Sequence, residues 1–337
     1  MKRPIHYNIV LMLVFLLLVG TICVLPLLQP DSPAPTEPST QMPITTQATT
    51  TVPTETTVPP TTVPPTTTVP PTIPTDVSVT AKNAFVYNCT QDYLSYIKDA
   101  GSPVMYPASI TKLFSSYVAL QILDPDQTVT VGRIILTVPP DSSFANLKEG
   151  DTLTVRDLVA AMLLPSGGDA ARTLAVAAGR KLSGDAEVSE ADAMDRFVAE
   201  MNSQALLLGM ENTHFVNPDG YHHEDHYTCL ADLLTIGRLS MEHDLIRQTA
   251  GMTEYKVTLG PERTVTWKNT NLLLQESFPD YFCPDAIGLK TGYTGAAGSC
   301  LMAAFEKNGD IILIGIFGSE TKETRFSDAL TLFEACP

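Results

Sequence analysis

Apolar side chains crowd the stretch from Ile9 to Leu28, all but vanish between Gln29 and Thr75, and return in short regular runs as far as Pro337. The first stretch carries no charge and is about 20 residues long, enough for a helix to cross the hydrocarbon of a bilayer. Lys2 and Arg3 precede it, and the positive-inside tendency places the remainder of the chain on the extracytoplasmic side. No small-x-small cleavage site follows Leu28 before the prolines begin. Residues 1–28 are therefore expected to persist as a single-pass anchor in the cell membrane, not to be removed as a signal peptide.

Residues 29–76 are dominated by Thr and Pro, with a Val-Pro-Pro-Thr-Thr unit recurring between Val58 and Thr68. Such a composition has too little apolar surface to form a core and favours disordered, polyproline-like chain. At ~3.1 Å per residue the spacer reaches up to ~140 Å, which suits a target lying in a wall beyond the membrane.

Over residues 77–337 the pattern is that of one folded domain. Short strands are predicted at Ala84 to Asn88 and Tyr93 to Ile97. A helix opens at Tyr106-Pro107-Ala108-Ser109, with Pro107 near its start and Ile110, Leu113, Phe114, Tyr117, Val118 and Leu120 at helical spacing. Further helices are expected at Val155 to Leu164, Asp169 to Leu182, Ala191 to Leu208, Leu230 to His243 and Ser327 to Ala335. A hairpin joins Cys300 to Glu306 and Asp310 to Phe317 through Asn308-Gly309, a pair that type I′ turns favour. Strands at both ends of a helical middle predict an α+β fold, with an antiparallel sheet completed by distant segments and flanked by helices.

Charge removes one class of partner. With 37 acidic and 21 basic side chains the net charge is -16, so no basic field exists to hold nucleic acid. Of the six cysteines, none has metal-like spacing, and Cys283 and Cys300 are read as buried free thiols in preference to a disulfide. The run His222-His223-Glu224-Asp225-His226 has ligand-type residues, but it follows Asn217-Pro218-Asp219-Gly220 and so belongs to a loop; no metal and no cofactor is expected.

Three segments carry chemistry. In Ser109-Ile110-Thr111-Lys112 the first and last side chains share a helical face, so an amine can reach a hydroxyl, and the helix N-terminus stabilises negative charge developing on the serine oxygen. Leu164-Pro165-Ser166-Gly167-Gly168-Asp169 places a second serine on a tight turn before a helix. Gly288-Leu289-Lys290-Thr291-Gly292-Tyr293 precedes the hairpin, with Gly292 where a backbone can approach closely. Each is commonplace alone. In this order they correspond to Ser-x-x-Lys, a Ser-x-Asn-like element and Lys-Thr-Gly, the set shared by penicillin-interacting enzymes.

The chain thus resembles the D-alanyl-D-alanine carboxypeptidase family of low-molecular-mass penicillin-binding proteins. Pro107 to Leu113 is similar to that family's nucleophile helix. Thr213-His214-Phe215-Val216-Asn217-Pro218-Asp219-Gly220 resembles its T-x-F-x-N-P-x-G segment, and Asn269-Thr270-Asn271-Leu272-Leu273 its N-x-N-x-L-L stretch. The resemblance covers about Ala84 to Phe317 and implies a sheet beside a helical subdomain, with the site between them. It departs at Gly168, which stands where the second motif has Asn, and the β-rich C-terminal domain of some relatives is not expected.

The resemblance implies an acyl-enzyme on Ser109, with Lys112 as general base and Ser166 relaying the proton to the leaving D-alanine. Lys290, Thr291, Gly292 and Tyr293 would bind substrate: Lys290 attracts the terminal carboxylate and helps keep Lys112 neutral, and the backbone N–H groups of Ser109 and Tyr293 form the oxyanion hole. The partners implied are a peptidoglycan stem peptide and β-lactam inhibitors. D,D-endopeptidase or β-lactamase action, or a non-catalytic penicillin-binding sensor, are the alternative readings.

Overall fold

The computed structural model describes residues 72–337 apart from 75, 100, 102–103 and 260–262, so the predicted anchor and nearly all of the spacer lie outside the described residues. The chain runs through β1 (Asn83–Asn88), β2 (Tyr93–Lys98), α1 (Thr111–Ile122), β3 (Thr128–Thr130), β4 (Thr152–Thr154), α2 (Val155–Leu163), α3 (Gly168–Ser183) and α4 (Glu190–Leu207). It continues with α5 (Leu230–Glu242), α6 (Asp244–Ala250), β5 (Glu254–Thr258), β6 (Thr264–Lys268), β7 (Ala286–Thr294), β8 (Gly298–Lys307), β9 (Asp310–Ser319) and α7 (Thr324–Glu334). The fold is α+β, as expected.

All six side chains of β1 are buried, and a strand in that position needs partners on both edges and a layer on both faces. The edges are filled by β2 and, from the far end of the chain, by β9, with Ala84 opposite Ile316 and Val86 opposite Ile314. The five-stranded sheet has the order β2-β1-β9-β8-β7, with each neighbouring pair antiparallel. This leaves β7, which carries Lys290-Thr291-Gly292, on an edge.

Both faces of the sheet are covered, so β8 and β9 read as nearly continuous apolar runs while still dividing their side chains by the two-residue period of a strand. Leu301, Ala303, Phe305 and Ile314 join a core with Phe326, Leu332 and Phe333 of α7. Met302, Ala304 and Leu313 join the larger core with Leu113 of α1 and Leu233 and Ile236 of α5. On the α7 side, Asp328 accepts hydrogen bonds from Thr80 N at 2.9 Å, Thr80 Oγ1 at 2.9 Å and Ala81 N at 2.8 Å. The chain is already packed ahead of this clamp, since Ile73, within the predicted spacer, is buried and its N–H donates to Ser95 O at 3.1 Å.

Helices α2 to α5 fall where the apolar period places them. Thr154 and Asp157 start α2 with a capping box. The β8–β9 turn has Asn308 at φ 55 and Gly309 at φ 87, the left-handed pair of a type I′ turn. The hairpin β5–β6 and helix α6 are not apparent in the sequence. In β5, Glu254, Lys256 and Thr258 are exposed and only the alternate residues are part-buried, so little apolar signal marks it. Cys283 and Cys300 are buried free thiols. Among the described residues no helix is long and apolar enough to cross a membrane.

Candidate active site

Ser109 owes its position to an unfavourable residue. Ala108 has φ 49, a left-handed conformation that costs a non-glycine residue energy. The chain then enters a 3-10 turn over Ala108–Ile110 and continues as α1. Ser109 and Lys112 are one turn apart there, and Lys112 Nζ lies 3.0 Å from Ser109 Oγ, with the amine donating.

The same amine donates to the main-chain carbonyl of Asp219. The loop carrying that carbonyl is fixed from several sides. Arg172 Nε donates to Asp219 Oδ2 at 2.8 Å, and Tyr221 N to Oδ1 at 2.9 Å. Asn217 closes the turn, accepting from Gly220 N at 2.8 Å and donating to Tyr221 O at 2.9 Å. Phe215 stacks on Phe114 of α1 with ring centroids 5.1 Å apart. Gly220, at φ 77, lies so close to the Ala108–Ile110 turn that an added Cβ would fall 1.9 Å from Ala108 O. The Thr213 to Gly220 segment is thus the cradle of Lys112.

His226, the last of the histidine run, belongs to this cradle. Its Nδ1 accepts from Val216 N at 3.2 Å, which assigns the proton to Nε2, 2.9 Å from Thr111 Oγ1. Burial drives its pKa down to about 3, so the ring is neutral. His222 packs edge-on against Tyr106 at 4.8 Å, and His223 faces Asp225 at 3.8 Å. Among the described residues no group of three or more His, Cys, Asp or Glu converges as metal ligands.

Edge strand β7 forms the opposite wall. A Cβ on Gly292 would stand 3.1 Å from Ser109 N and 3.2 Å from Ala108 Cβ, so the bare backbone is what lets the strand lie against the turn that carries Ser109. Thr291 Oγ1 and Thr270 Oγ1 are 2.6 Å apart. Arg325 of α7 donates from Nη1 to Gly292 O at 3.1 Å, bracing the strand. Ser109, Lys112, Ser166, Thr291, Gly292 and Tyr293 line one cleft of about 620 Å³. Ser166 reaches it from a left-handed turn, φ 65, ahead of α3. Asp169, in the first turn of α3, accepts from Ala145 N at 2.8 Å and Leu147 N at 2.9 Å and so holds the loop through Ala145 to Leu147.

Lys290 differs from expectation. It does not line the cleft; it is buried, and its amine donates to Thr291 O at 3.0 Å. Burial lowers the Lys112 pKa to about 8; Arg172 adds to this, while Asp219 and Asp169 oppose it. Desolvation, not repulsion from Lys290, is therefore the main cause of a depressed Lys112. Lys290 itself is lowered well below the ordinary lysine value by burial and then by the charges of Lys112 and Arg325.

Sequence reasoning passed over Arg172, Thr270 and Arg325. Thr270 sits inside the stretch Asn269 to Leu273, where the resemblance gives it no role. Arg172 was detectable as an isolated arginine in the alanine-rich run Asp169-Ala170-Ala171-Arg172-Thr173-Leu174-Ala175, because a buried arginine needs an acidic partner.

Comparison with known proteins points to one family. The family model for D-alanyl-D-alanine carboxypeptidase matches residues 67–321. The D-alanyl-D-alanine carboxypeptidase DacF of Bacillus subtilis is 27% identical over 254 residues, 74% of this chain; the chain spans 60% of that relative's length. The crystal structure of a Streptomyces DD-transpeptidase superposes with a TM-score of 0.69 at 31% identity, covering 77% of this chain and 97% of the other. Penicillin-binding protein D2 of Listeria monocytogenes in its ampicillin-bound form gives a TM-score of 0.62 at 28% identity, covering 77% and 98%.

The site has two testable consequences. A lysine acts as a base only when neutral, and the neutral fraction of Lys112 grows as pH rises through about 8. Acylation of Ser109 by a penicillin should accelerate from neutral pH towards a plateau above that value, and a flat profile by stopped-flow labelling would show that Lys112 is not the base. Gly168 does not need a positive φ, and a Cβ there would stand 3.1 Å from Val138 Cγ1, 3.5 Å from Ser143 O and 3.6 Å from Asp219 Oδ2, so the variant requires the buried Val138 to shift by a few tenths of an ångström. An amide hydrogen bond to a charged group contributes ~1.5 to 3 kcal/mol. Gly168→Asn should therefore raise the second-order acylation rate by roughly one to two orders of magnitude; a folded variant with an unchanged or lower rate contradicts this.

Proposed function

The chain belongs to the D-alanyl-D-alanine carboxypeptidase family, and on that premise we propose that it removes the terminal D-alanine of peptidoglycan stem peptides through an acyl-enzyme on Ser109. The observation that carries the reading is the 3.0 Å approach of a buried, low-pKa lysine amine to the hydroxyl of Ser109.

In this mechanism neutral Lys112 takes the proton of Ser109 as Oγ attacks the carbonyl of the penultimate D-alanine. The N–H groups of Ser109 and Tyr293 stabilise the oxyanion; the close packing of Gly292 on Ser109 N supports that pairing. Ser166 relays the proton to the departing D-alanine, and water then hydrolyses the ester. Thr291, at the cleft wall, donates to the substrate's terminal carboxylate, and Lys290 acts from beneath the strand through its charge. A bound carboxylate supplies the counter-charge that the empty site lacks and so favours protonated Lys290. β-Lactams acylate the same serine, in keeping with the ampicillin-bound relative.

The domain works outside the cytoplasm, tethered by residues 1–28 and spaced from the bilayer by residues 29–76, with residues 77–337 as the catalytic domain. The uncharged run from Ile9 to Leu28 and the Thr/Pro composition after it support this reading. A chain lacking residues 1–28 should move from the membrane to the soluble fraction and still cleave soluble peptide; loss of activity, or continued membrane sedimentation, would contradict it.

Ser109→Ala should abolish both the penicillin adduct, read by intact-mass analysis, and the release of D-alanine from a stem pentapeptide. A wild-type chain that acylates but releases no D-alanine would be a sensor and not a carboxypeptidase. An adduct persisting at full yield in Ser109→Ala would remove the nucleophile assignment.

A further inference from the structure

We propose that Asp141, held at the mouth of the cleft by Tyr221, selects stem peptides whose third residue ends in a free ammonium group. The inference rests on the carboxypeptidase reading and concerns the part of the cleft which that reaction leaves unassigned.

Ser109 stands between two walls that differ in charge. The wall made by β7, the segment leading into α7 and α7 itself contributes Lys322 and Arg325 to the lining, with Lys290 buried and donating to Thr291 O. The facing rim contributes Asp141, Ser142 and Tyr221. Three carboxylates line the cleft, and two are accounted for. Asp219 is buried and paired with Arg172, while Glu323 lies on the cationic wall beside Lys322 and Arg325. Asp141 is exposed, and the hydrogen bonds it accepts come from a neutral donor, Tyr221 Oη, at 3.1 Å to Oδ1 and 3.4 Å to Oδ2. Among the described residues no cation pairs with it, so its carboxylate is oriented without an ion-pair partner.

The direction of the substrate is set by this chemistry. The terminal carboxylate lies towards the cationic wall and the scissile carbonyl lies at Ser109. The next residue towards the N-terminus must therefore leave the cleft on the other side. That side is the loop beyond Asp219: Asp219 O holds Lys112, and Tyr221, two positions on, donates to Asp141. A side chain with a terminal ammonium can reach such a carboxylate and gain a charge-assisted hydrogen bond. An acylated amine has no charge to offer. Because the pair is open to water, the preference is modest, roughly two- to fivefold in kcat/KM. It is made equally with ground state and transition state, so it resides in KM. Asp141 is a specificity residue here, and Tyr221 positions it.

The test compares release of D-alanine from Nα-acetyl-L-lysyl-D-alanyl-D-alanine and from the same peptide acetylated on the lysine side chain. Wild type should favour the free amine by roughly two- to fivefold. Asp141→Asn should bring the ratio close to one, and Asp141→Lys should push it below one, with penicillin labelling of Ser109 confirming that each variant is folded. A wild-type ratio of one, or a preference surviving in Asp141→Asn, overturns the assignment while leaving the carboxypeptidase reading intact. Penicillin labelling without D-alanine release from either peptide defeats that reading and this inference with it.

Discussion

A lysine amine serves as a base near neutral pH only where water is kept from it, and desolvation of Lys112 is the constraint on which the rest of this site depends. The amine is nearly sealed in, yet it must keep polar partners, because a buried donor without one costs free energy. The structure answers with a carbonyl oxygen. Asp219 offers Lys112 its main chain while its carboxylate turns to Arg172. Had the carboxylate faced the amine, the ion pair would have raised the Lys112 pKa and favoured its charged form. Arg172 thus holds the anion in place and adds a positive charge that lowers Lys112 further. The surrounding segments are those that form this cradle: Asn217 closing the turn, Phe215 stacked on α1, His226 neutral beneath Thr111.

Close approach is the second demand, and it explains where the backbone is strained. Three segments meet at Ser109: its own turn, the loop ending at Gly220, and edge strand β7. Ala108 accepts a left-handed conformation, and a side chain at Gly220 would strike its carbonyl. Gly292 performs the same service on the other side, letting β7 lie against the amide of Ser109. Strain of this kind persists only where the neighbourhood over-determines it, and here it is enclosed by α1, the loop and the sheet. Placing β7 at the sheet's edge is what leaves its outer backbone available to a ligand.

The features legible in the sequence were local in the chain. Ser109 and Lys112 share one helical turn, Asn308-Gly309 dictates its hairpin, and the apolar period of α2 to α5 reflects faces packed on one core. Contacts that depend on the tertiary fold were not legible. Arg172 meets Asp219, Thr270 meets Thr291 and Arg325 meets Gly292 across 47, 21 and 33 positions of chain, contacts that only the tertiary fold creates. The orientation of Lys290 was missed for the same reason. Alternation along a strand tells that successive residues face opposite ways, not which face borders a cleft. The order of the three motifs was informative because it encodes a tertiary arrangement that no single motif specifies.

The two buried lysines illustrate how charge and fold are joined. Each amine is desolvated, and Lys290 is further opposed by Lys112 and by Arg325. A site holding so much positive charge out of water favours losing a proton, and that loss is what a base at Lys112 requires. Desolvation alone would achieve this wherever a lysine is buried. The sheet adds a fixed separation of tasks, since Lys112 projects from α1 to the hydroxyl while Lys290 stays beneath Thr291. The amine of Lys112 therefore meets the hydroxyl of Ser109, while that of Lys290 stays behind the cleft wall, donating to Thr291 O.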